Sequence, residues 1–264
     1  MIFHDCFPLC LCLDKRKPCA QPEEVIIREL PKVVPSTVQT NQTPGRPALL
    51  VDLTGVLVHS FCPRSKEEPP DLESNDHYVV EEEYRTNYVR KDAARFLAWA
   101  SQIADVYIWS SMMHRNLGEK LKSCFPVAVT CLSGWLGQEC CEVASFKFPG
   151  GKPVFFKTLP EFFERHRGKY HEGNTLAIDD SWYKHMHNRT STYVILRKEK
   201  KADYMVDILL PWLEQWVAAE DRAGFVMSWE EPSRNQDDSF VTKNMEGGWR
   251  MKYNTWQRRL RSPQ

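Results

Sequence analysis

Short apolar runs alternate with helical stretches along the middle of the chain, and most of the runs end at polar residues. Ala48–Val51, Asp105–Trp109 and Thr175–Ile178 have the length and composition of buried strands. Between the first and the last of them, the segments from Ala93 to Ile103 and from His114 to Phe125 carry apolar residues at helical spacing. Strands that alternate with helices predict an α/β fold with a central parallel sheet flanked by helices.

Weaker patterns predict the remaining elements. Tyr78 to Arg90 is rich in Val, Tyr and Glu and predicts a β-hairpin or two short strands. Val127 to Leu132 predicts a third short strand, and Thr192 to Leu196 predicts the last one. Val154 to Lys157 is a short apolar piece that precedes a predicted helix. Asp203 to Ala219 predicts a long amphipathic helix that a proline in its middle would kink.

The chain divides into three parts by composition. Residues 1–45 are rich in Pro, polar and small residues with little periodicity, which predicts a disordered leader. Residues 46–228 carry the patterned segments and predict one folded domain. Residues 229–264 lose the pattern and end in several Arg and Lys residues, which predicts an irregular basic tail that is solvated or docks on an acidic partner.

Charge and cysteine content exclude some classes of protein. Lys+Arg and Asp+Glu are balanced at 35 each, so the overall charge gives no sign of direct binding to nucleic acid or to an anionic membrane. No apolar stretch reaches the roughly 18 residues of a membrane span. The nine Cys favour reduced thiols, and the spacing of Cys6, Cys10, Cys12 and Cys19 does not match paired zinc ligands. Palmitoylation is a further alternative for this group.

Polar residues follow the apolar runs in an order that suggests a site. Asp52, Ser110 and Lys157 each end such a run, and Asp179 and Asp180 end another. Each of them alone is an ordinary turn or surface residue. If the strands are parallel neighbours, all of these side chains meet at one edge of the sheet. A carboxylate nucleophile, a hydroxyl, a fixed cation and metal-binding carboxylates together suit phosphoryl transfer.

These motifs resemble the haloacid dehalogenase (HAD) superfamily, and more narrowly the RNA polymerase II C-terminal-domain phosphatases and their small relatives. The resemblance covers roughly residues 46–228 and favours plant and fungal members. It is carried by Val51–Ser60, by Tyr88–Leu97 with Lys91 where Pro is usual, by Val106–Ser110, by Lys157–Leu159 and by Ile178–Ser181. It implies a Rossmann-like HAD fold, in which the predicted hairpin is a small insertion and no large cap domain covers the cleft.

The resemblance also implies a role for each strand-end residue. Asp52 would be the nucleophile that forms an aspartyl-phosphate, and Ser110 and Lys157 would hold the phosphoryl group. Asp179 would bind Mg²⁺ together with Asp52 and the backbone carbonyl of Thr54. Asp180 would support this metal site through water.

Thr54 departs from the pattern of the phosphatases. At this position the family has an Asp that protonates the leaving group and later activates water, and Thr does not titrate near neutral pH. Losing a general acid and base typically lowers the rate by about 10²–10⁴-fold. Cation-pumping ATPases of the superfamily form a lasting aspartyl-phosphate with Thr here. Some members of a mitochondrial inner-membrane translocase (TIM) receptor family carry a string similar to Leu53–Leu57.

Three functional hypotheses follow. The first is a weak Mg²⁺-dependent phosphatase that acts on a phosphoprotein or peptide segment in an open cleft, with a nuclear or cytoplasmic location. The second is a non-catalytic module that binds phosphate or protein, including a receptor-like role in a mitochondrial translocase complex. The third is a different HAD chemistry. Retention of Asp52, Lys157 and Asp179 favours the first, and Thr54 favours the second.

Overall fold

The structure is a computed structural model of the 264-residue chain, and it describes residues 45–62, 76–147, 153–196 and 203–228. All of the described residues belong to one compact unit, Gln39–Gln264. The predicted leader up to residue 44, the basic tail and the N-terminal cysteines lie outside the described residues, which begin at Gly45 and end at Ser228.

The strands of the described part are β1 (Ala48–Val51), β2 (Val58–Phe61), β3 (His77–Glu82), β4 (Arg85–Arg90), β5 (Asp105–Trp109), β6 (Gly134–Leu136), β7 (Glu142–Lys147), β8 (Pro153–Phe156), β9 (Thr175–Asp179) and β10 (Tyr193–Ile195). Its α-helices are α1 (Ala93–Ile103), α2 (His114–Cys124), α3 (Leu159–Arg165), α4 (Leu210–Ala218) and α5 (Arg222–Met227). Short 3₁₀ turns connect several of them.

A five-stranded parallel sheet forms the centre of the domain, in the order β10-β9-β1-β5-β6. Successive side chains of a strand point to opposite faces. Leu49 and Val51 accordingly join the core that buries residues of α1, α2 and α4, whereas Leu50 joins the second core with Leu159 and Phe162 of α3. The predicted α/β fold with helices on both faces of a parallel sheet is therefore confirmed.

The predicted hairpin is confirmed as part of a small insertion between β1 and α1. β3 and β4 pair antiparallel, and β2 adds to the other edge of β4, which gives a three-stranded sheet in the order β2-β4-β3. In the described part of the chain between β1 and α1, this sheet is the whole of the insertion. The edge of the central sheet at Asp52 thus has no large cap domain among these residues.

The strand predicted for Val127 to Leu132 is wrong. Ala128–Cys131 forms a 3₁₀ turn, and the edge strand of the central sheet is β6, which lies a few residues further along. The hydroxyl of Thr130 donates to the carbonyl of Val127 at 2.8 Å. Thr side chains that bond to nearby carbonyls compete with the pairing of a strand, so β-branched residues here form a turn.

The strand before Lys157 is also placed differently from the prediction. β8 pairs antiparallel with β7 in a separate two-stranded sheet and does not join the parallel sheet. A parallel connection needs a crossover of about a dozen residues or more, whereas a hairpin needs only a short loop. Only residues 148–152 separate β7 from β8, so the two strands form a hairpin.

The helices follow the predicted segments with local changes. α3 ends at Arg165, and the positive φ of Arg167 and Gly168 accounts for the end of this helix. In the segment predicted as one long helix, Met205–Leu209 is a π-helical turn that leads directly into α4. Pro211 lies two residues after this turn. Because proline has no N–H to donate to the preceding turn, it disturbs the regular hydrogen bonding of a helix at this place. None of the helices among the described residues has the length and apolar character to cross a membrane.

Candidate functional site

Asp52 and Asp179 lie side by side at the carboxyl edge of the central sheet. In the parallel pair of β1 and β9, Val51 is opposite Ile178. The backbone N–H of Asp52 donates to the carbonyl of Ile178 at 2.8 Å and thereby continues this pairing by one residue. Both Asp side chains are buried. The structure therefore brings together the two carboxylates that the sequence placed at strand ends.

Lys157 reaches both carboxylates from the end of the β7–β8 hairpin. Its Nζ lies 3.0 Å from Oδ1 of Asp52 and 2.5 Å from Oδ2 of Asp179. The backbone of Lys157 is held on both sides, since its N–H donates to the carbonyl of Lys184 at 2.7 Å and its carbonyl accepts from Nδ2 of Asn188 at 2.7 Å. A separate sheet thus delivers the fixed cation to the edge of the central sheet.

Asp180 completes a group of three carboxylates, Asp52, Asp179 and Asp180, which we call the carboxylate cluster. One oxygen of each lies within 4.8 Å of the others. Asp180 sits directly over Gly55, where a Cβ atom would come within 1.9 Å of Oδ2 of Asp180. Because Gly55 also has a φ of +96°, this position of the loop after β1 requires glycine. Burial raises the pKa of Asp180 to about 6, and Lys184 partly opposes this shift.

Lys184 is a member of the site that the sequence analysis missed. It lies on the 3₁₀ turn Trp182–His185 that follows the carboxylate pair. Its Nζ is 2.6 Å from Oδ2 of Asp52, 3.1 Å from Oδ1 of Asp179 and 3.6 Å from Oδ1 of Asp180. The one signal in the sequence is the spacing of four residues between Asp180 and Lys184, which suits an ion pair within a helical turn.

Opposite charges outweigh the effect of burial on the pKa values of Asp179 and Lys184. Burial disfavours the carboxylate of Asp179, yet Lys157 and Lys184 hold its pKa well below the usual value. Burial also disfavours the ammonium of Lys184, yet Asp179 and Asp52 hold its pKa well above the usual value. Burial lowers the pKa of His185, and its contact with Asp179 only partly opposes this.

Ser110 and Thr54 flank the carboxylate cluster. Ser110 directly follows β5 and is buried, and its Oγ accepts a hydrogen bond from the N–H of Met112 at 3.3 Å. Thr54 lies in the tight turn after β1 and is exposed. Within the described residues, neither hydroxyl is hydrogen-bonded to the cluster or to its two lysines. The structure thus joins four of the six predicted site residues directly and places the other two at the ends of adjacent strands.

The carboxylate cluster has the donors and the spacing that a Mg²⁺ ion needs. Mg²⁺ takes oxygen ligands at about 2.0–2.1 Å in an octahedron, so opposite ligands are roughly 4 Å apart. The carboxylate oxygens of the cluster, within 4.8 Å of one another, fit this size. In the structure, however, the ammonium of Lys184 contacts the same three side chains.

Comparison with known proteins gives a family and distant structural similarity. The model of the family described as NLI interacting factor-like phosphatase matches residues 47–222, which include the whole candidate site. No curated protein matches the chain.

Two solved structures show a remote resemblance. One is a variant of the fission yeast RNA polymerase II CTD phosphatase Fcp1 bound to beryllium fluoride, with 16% identity, a TM-score of 0.39 and coverage of 75% of this chain and 50% of that one. The other is described as the structure of Fcp1, an essential RNA polymerase II CTD phosphatase, with 16% identity, a TM-score of 0.39 and coverage of 76% and 55%. The chain therefore spans about half the length of these two proteins.

Proposed function

This chain belongs to the NLI interacting factor-like phosphatase family, and on this premise we propose that it is a slow phosphoprotein phosphatase. The proposed reaction passes through an aspartyl-phosphate on Asp52. The observation that carries the proposal is the ammonium of Lys157 at 3.0 Å from Oδ1 of Asp52. A fixed cation beside a carboxylate nucleophile stabilises the charge of a phosphoryl group during its transfer.

In the first step, a carboxylate oxygen of Asp52 attacks phosphorus, and the bond from phosphorus to the ester oxygen breaks. The ester oxygen takes up a proton and leaves as the hydroxyl of the substrate. In the second step, water attacks the aspartyl-phosphate, which releases phosphate and restores Asp52. Lys157 and the hydroxyl of Ser110 hold the phosphoryl oxygens in both steps.

A Mg²⁺ ion would be held by Asp52, Asp179 and the backbone carbonyl of Thr54, with Asp180 in support. When bound, this ion supplies positive charge to the oxygens of the phosphoryl group. Asp179 has a second task in the proposal, since its carboxylate contacts Lys157 and positions that ammonium next to Asp52.

Thr54 limits the proposed reaction. The position two residues after the nucleophile is where the proton for the leaving group would come from, and a threonine hydroxyl does not supply it near pH 7. The expected loss of about 10²–10⁴-fold in rate corresponds to about 3–5 kcal/mol of additional barrier. The proton then comes from solvent, which agrees with the exposure of Thr54.

The small insertion supports a protein segment as the substrate. The described residues between β1 and α1 form only the three-stranded sheet, which is too small to be a cap domain over the site. An open edge of this kind suits a phosphorylated side chain on a peptide better than a small metabolite that must be enclosed.

A binding role without turnover is the second candidate, and Thr54 is the observation that favours it. In that case the site would hold a phosphorylated segment of a partner through Lys157 without hydrolysing it. The translocase-receptor version of this role stays a prediction.

Hydrolysis of p-nitrophenyl phosphate by the purified full chain tests the proposal. We expect slow turnover with Mg²⁺ that EDTA removes and that Asp52→Asn abolishes, while circular dichroism shows that the variant is folded. Equal turnover in Asp52→Asn would contradict the nucleophile assignment. A folded wild-type protein without turnover would favour the binding role.

Thr54→Asp tests the cause of the slow rate. The new carboxyl group should raise turnover by at least about tenfold, which is the low side of the contribution of a general acid and base. Thr54→Asn is the matched control, because the Asn side chain has nearly the same shape as the Asp side chain but does not titrate. An equal increase in both variants would show that acid and base catalysis is not the missing contribution.

A further inference from the structure

We infer that Lys184 is an internal competitor of the divalent cation: its ammonium occupies the cation position of the carboxylate cluster, and an ion enters only when Lys184 leaves. This inference rests on the metal site of the proposed function. It concerns the affinity of that site for metal and not the reaction.

The oxygens of Asp52 and Asp179 are divided between two lysines. Lys157 takes Oδ1 of Asp52 and Oδ2 of Asp179, at 3.0 and 2.5 Å. Lys184 takes the opposite pair, Oδ2 of Asp52 and Oδ1 of Asp179, at 2.6 and 3.1 Å. All four oxygens of the two central carboxylates are therefore already in contact with an ammonium group.

Only Lys184 also reaches the third carboxylate. Its Nζ is 3.6 Å from Oδ1 of Asp180, whereas no ion pair joins Lys157 to Asp180 within the described residues. Lys184 thus contacts the same three side chains whose oxygens fit a metal ion. Lys157 lies to one side and contacts only two of them.

An ammonium and a metal ion cannot share this position. The metal would need the cluster oxygens at about 2.0–2.1 Å, and the nitrogen of Lys184 already lies 2.6–3.6 Å from them. Two cations at such short separation would also repel each other strongly in a buried site. Mg²⁺ binding therefore requires the side chain of Lys184 to swing away from the cluster.

The backbone at Lys184 is held by two hydrogen bonds that do not involve its side chain. The N–H of Lys184 donates to the carbonyl of Ser181 at 3.2 Å, and its carbonyl accepts from the N–H of Lys157 at 2.7 Å. Only the four-carbon side chain has to rotate, and about 9% of it is already exposed. Asp180, the third carboxylate that Lys184 contacts, is 21% exposed, so solvent reaches the cluster next to the Lys184 side chain.

Binding of Mn²⁺ to the purified full chain, followed by electron paramagnetic resonance of the free ion, tests this inference without any measurement of turnover. We expect Lys184→Met to bind Mn²⁺ at least about tenfold more tightly than wild type, because a competing charge has been removed from the same oxygens. Lys157→Met is the matched control, since it removes the same charge from the same two central carboxylates but leaves the cation position filled.

The control separates competition from a general effect of charge. A gain in Lys184→Met that clearly exceeds the gain in Lys157→Met supports the inference. Equal gains in the two variants would overturn it, because any loss of positive charge would then suffice. Wild-type protein that binds Mn²⁺ as tightly as Lys184→Met would overturn it as well.

A measurement on the wild-type chain decides the question if Lys184→Met does not fold. Acetic anhydride modifies exposed amines, and mass spectrometry reports the extent at each lysine. We expect Lys184 to be protected without metal and to become at least about tenfold more reactive at saturating Mn²⁺, as for an ammonium released from a buried ion pair. Continued protection at saturation would overturn the inference. Absence of phosphatase turnover would contradict the proposed function alone.

Discussion

Two buried lysines in different parts of the molecule have opposite surroundings. Lys184 contacts all three carboxylates of the carboxylate cluster. Lys120 lies on α2 next to the three-stranded sheet, and its Nζ donates to Oγ of Ser60 at 2.6 Å. Among the residues that the structure describes, no carboxylate is within ion-pair distance of Lys120. Ser60 in turn donates to Oδ1 of Asn87 at 2.9 Å.

The two lysines differ in the direction of their pKa shifts. Burial lowers the pKa of Lys120, and the more distant Glu82 opposes this only in part. The pKa of Lys184 is raised despite its burial, because three negative charges surround it. Burial alone therefore does not decide how the pKa of a lysine shifts. The charged groups around the ammonium decide the direction. The carboxylate cluster stabilises the charged form of Lys184, whereas the surroundings of Lys120 disfavour its charged form.

Removing the most buried charge of the cluster should have the largest effect on stability. Asp179→Asn keeps the shape of the side chain but removes the negative charge that Lys157 and Lys184 contact at 2.5 and 3.1 Å, so that Asp52 is the one carboxylate the two lysines still share. Loss of one partner from a buried ion pair typically costs about 3–5 kcal/mol. We expect a decrease of this size in the free energy of unfolding, measured by urea denaturation at pH 7.

Asp203→Asn is the control for this substitution. Asp203 is half exposed and pairs with Arg95 at 3.5 Å, and such surface pairs contribute about 0–1 kcal/mol. If the two Asn variants lose similar amounts of stability, the carboxylate cluster does not hold its lysines by charge, and the contrast with Lys120 disappears.

The main positions of the carboxylate cluster were predictable because they depend on a simple geometric rule. Asp52 and Asp179 each follow an apolar run, and parallel strands place the residues at their carboxyl ends along one edge. The fold was predictable for the same reason, since helical and apolar segments alternate along the chain. The rule identified Lys157 as well, although the strand before it belongs to a different sheet.

Lys184 could not be predicted in this way, because a 3₁₀ turn brings it back to the strand end that precedes it. No periodicity marks such a turn, and a lysine four residues after a carboxylate is common on surfaces. The strand predicted at Val127 to Leu132 failed for a related reason. A local hydrogen bond of Thr130 decided the conformation there against its strand propensity.

A change of intermediate size is expected where Lys120 loses its only close acceptor among the described residues. Ser60→Ala removes the hydroxyl at 2.6 Å from Nζ of Lys120 and at 2.9 Å from Oδ1 of Asn87. A charged donor left buried without its partner costs about 1.5–3 kcal/mol. Urea denaturation should show this loss, whereas Ser228→Ala, which removes an exposed hydroxyl, should stay within about 0.5 kcal/mol of wild type. Equal losses in the free energy of unfolding for the two variants would mean that a water molecule replaces the hydroxyl of Ser60 as the acceptor for Lys120.

Replacing Lys120 itself should have the smallest effect on stability, and the size of this effect should depend on pH. Lys120→Met removes a buried charge together with its need for a partner, so we expect no loss and a gain of at most about 1 kcal/mol at pH 7. Burial lowers the pKa of Lys120 in the folded state below its ordinary value of 10.5 in the unfolded chain. Between the folded-state and the unfolded-state pKa, the unfolded chain binds more protons at Lys120 than the folded protein does. The contribution of Lys120 to stability therefore rises with pH in this range. The advantage of Lys120→Met over wild type in urea denaturation should therefore shrink as the pH approaches 10.5. A constant difference between Lys120→Met and wild type over this range would contradict the lowered pKa.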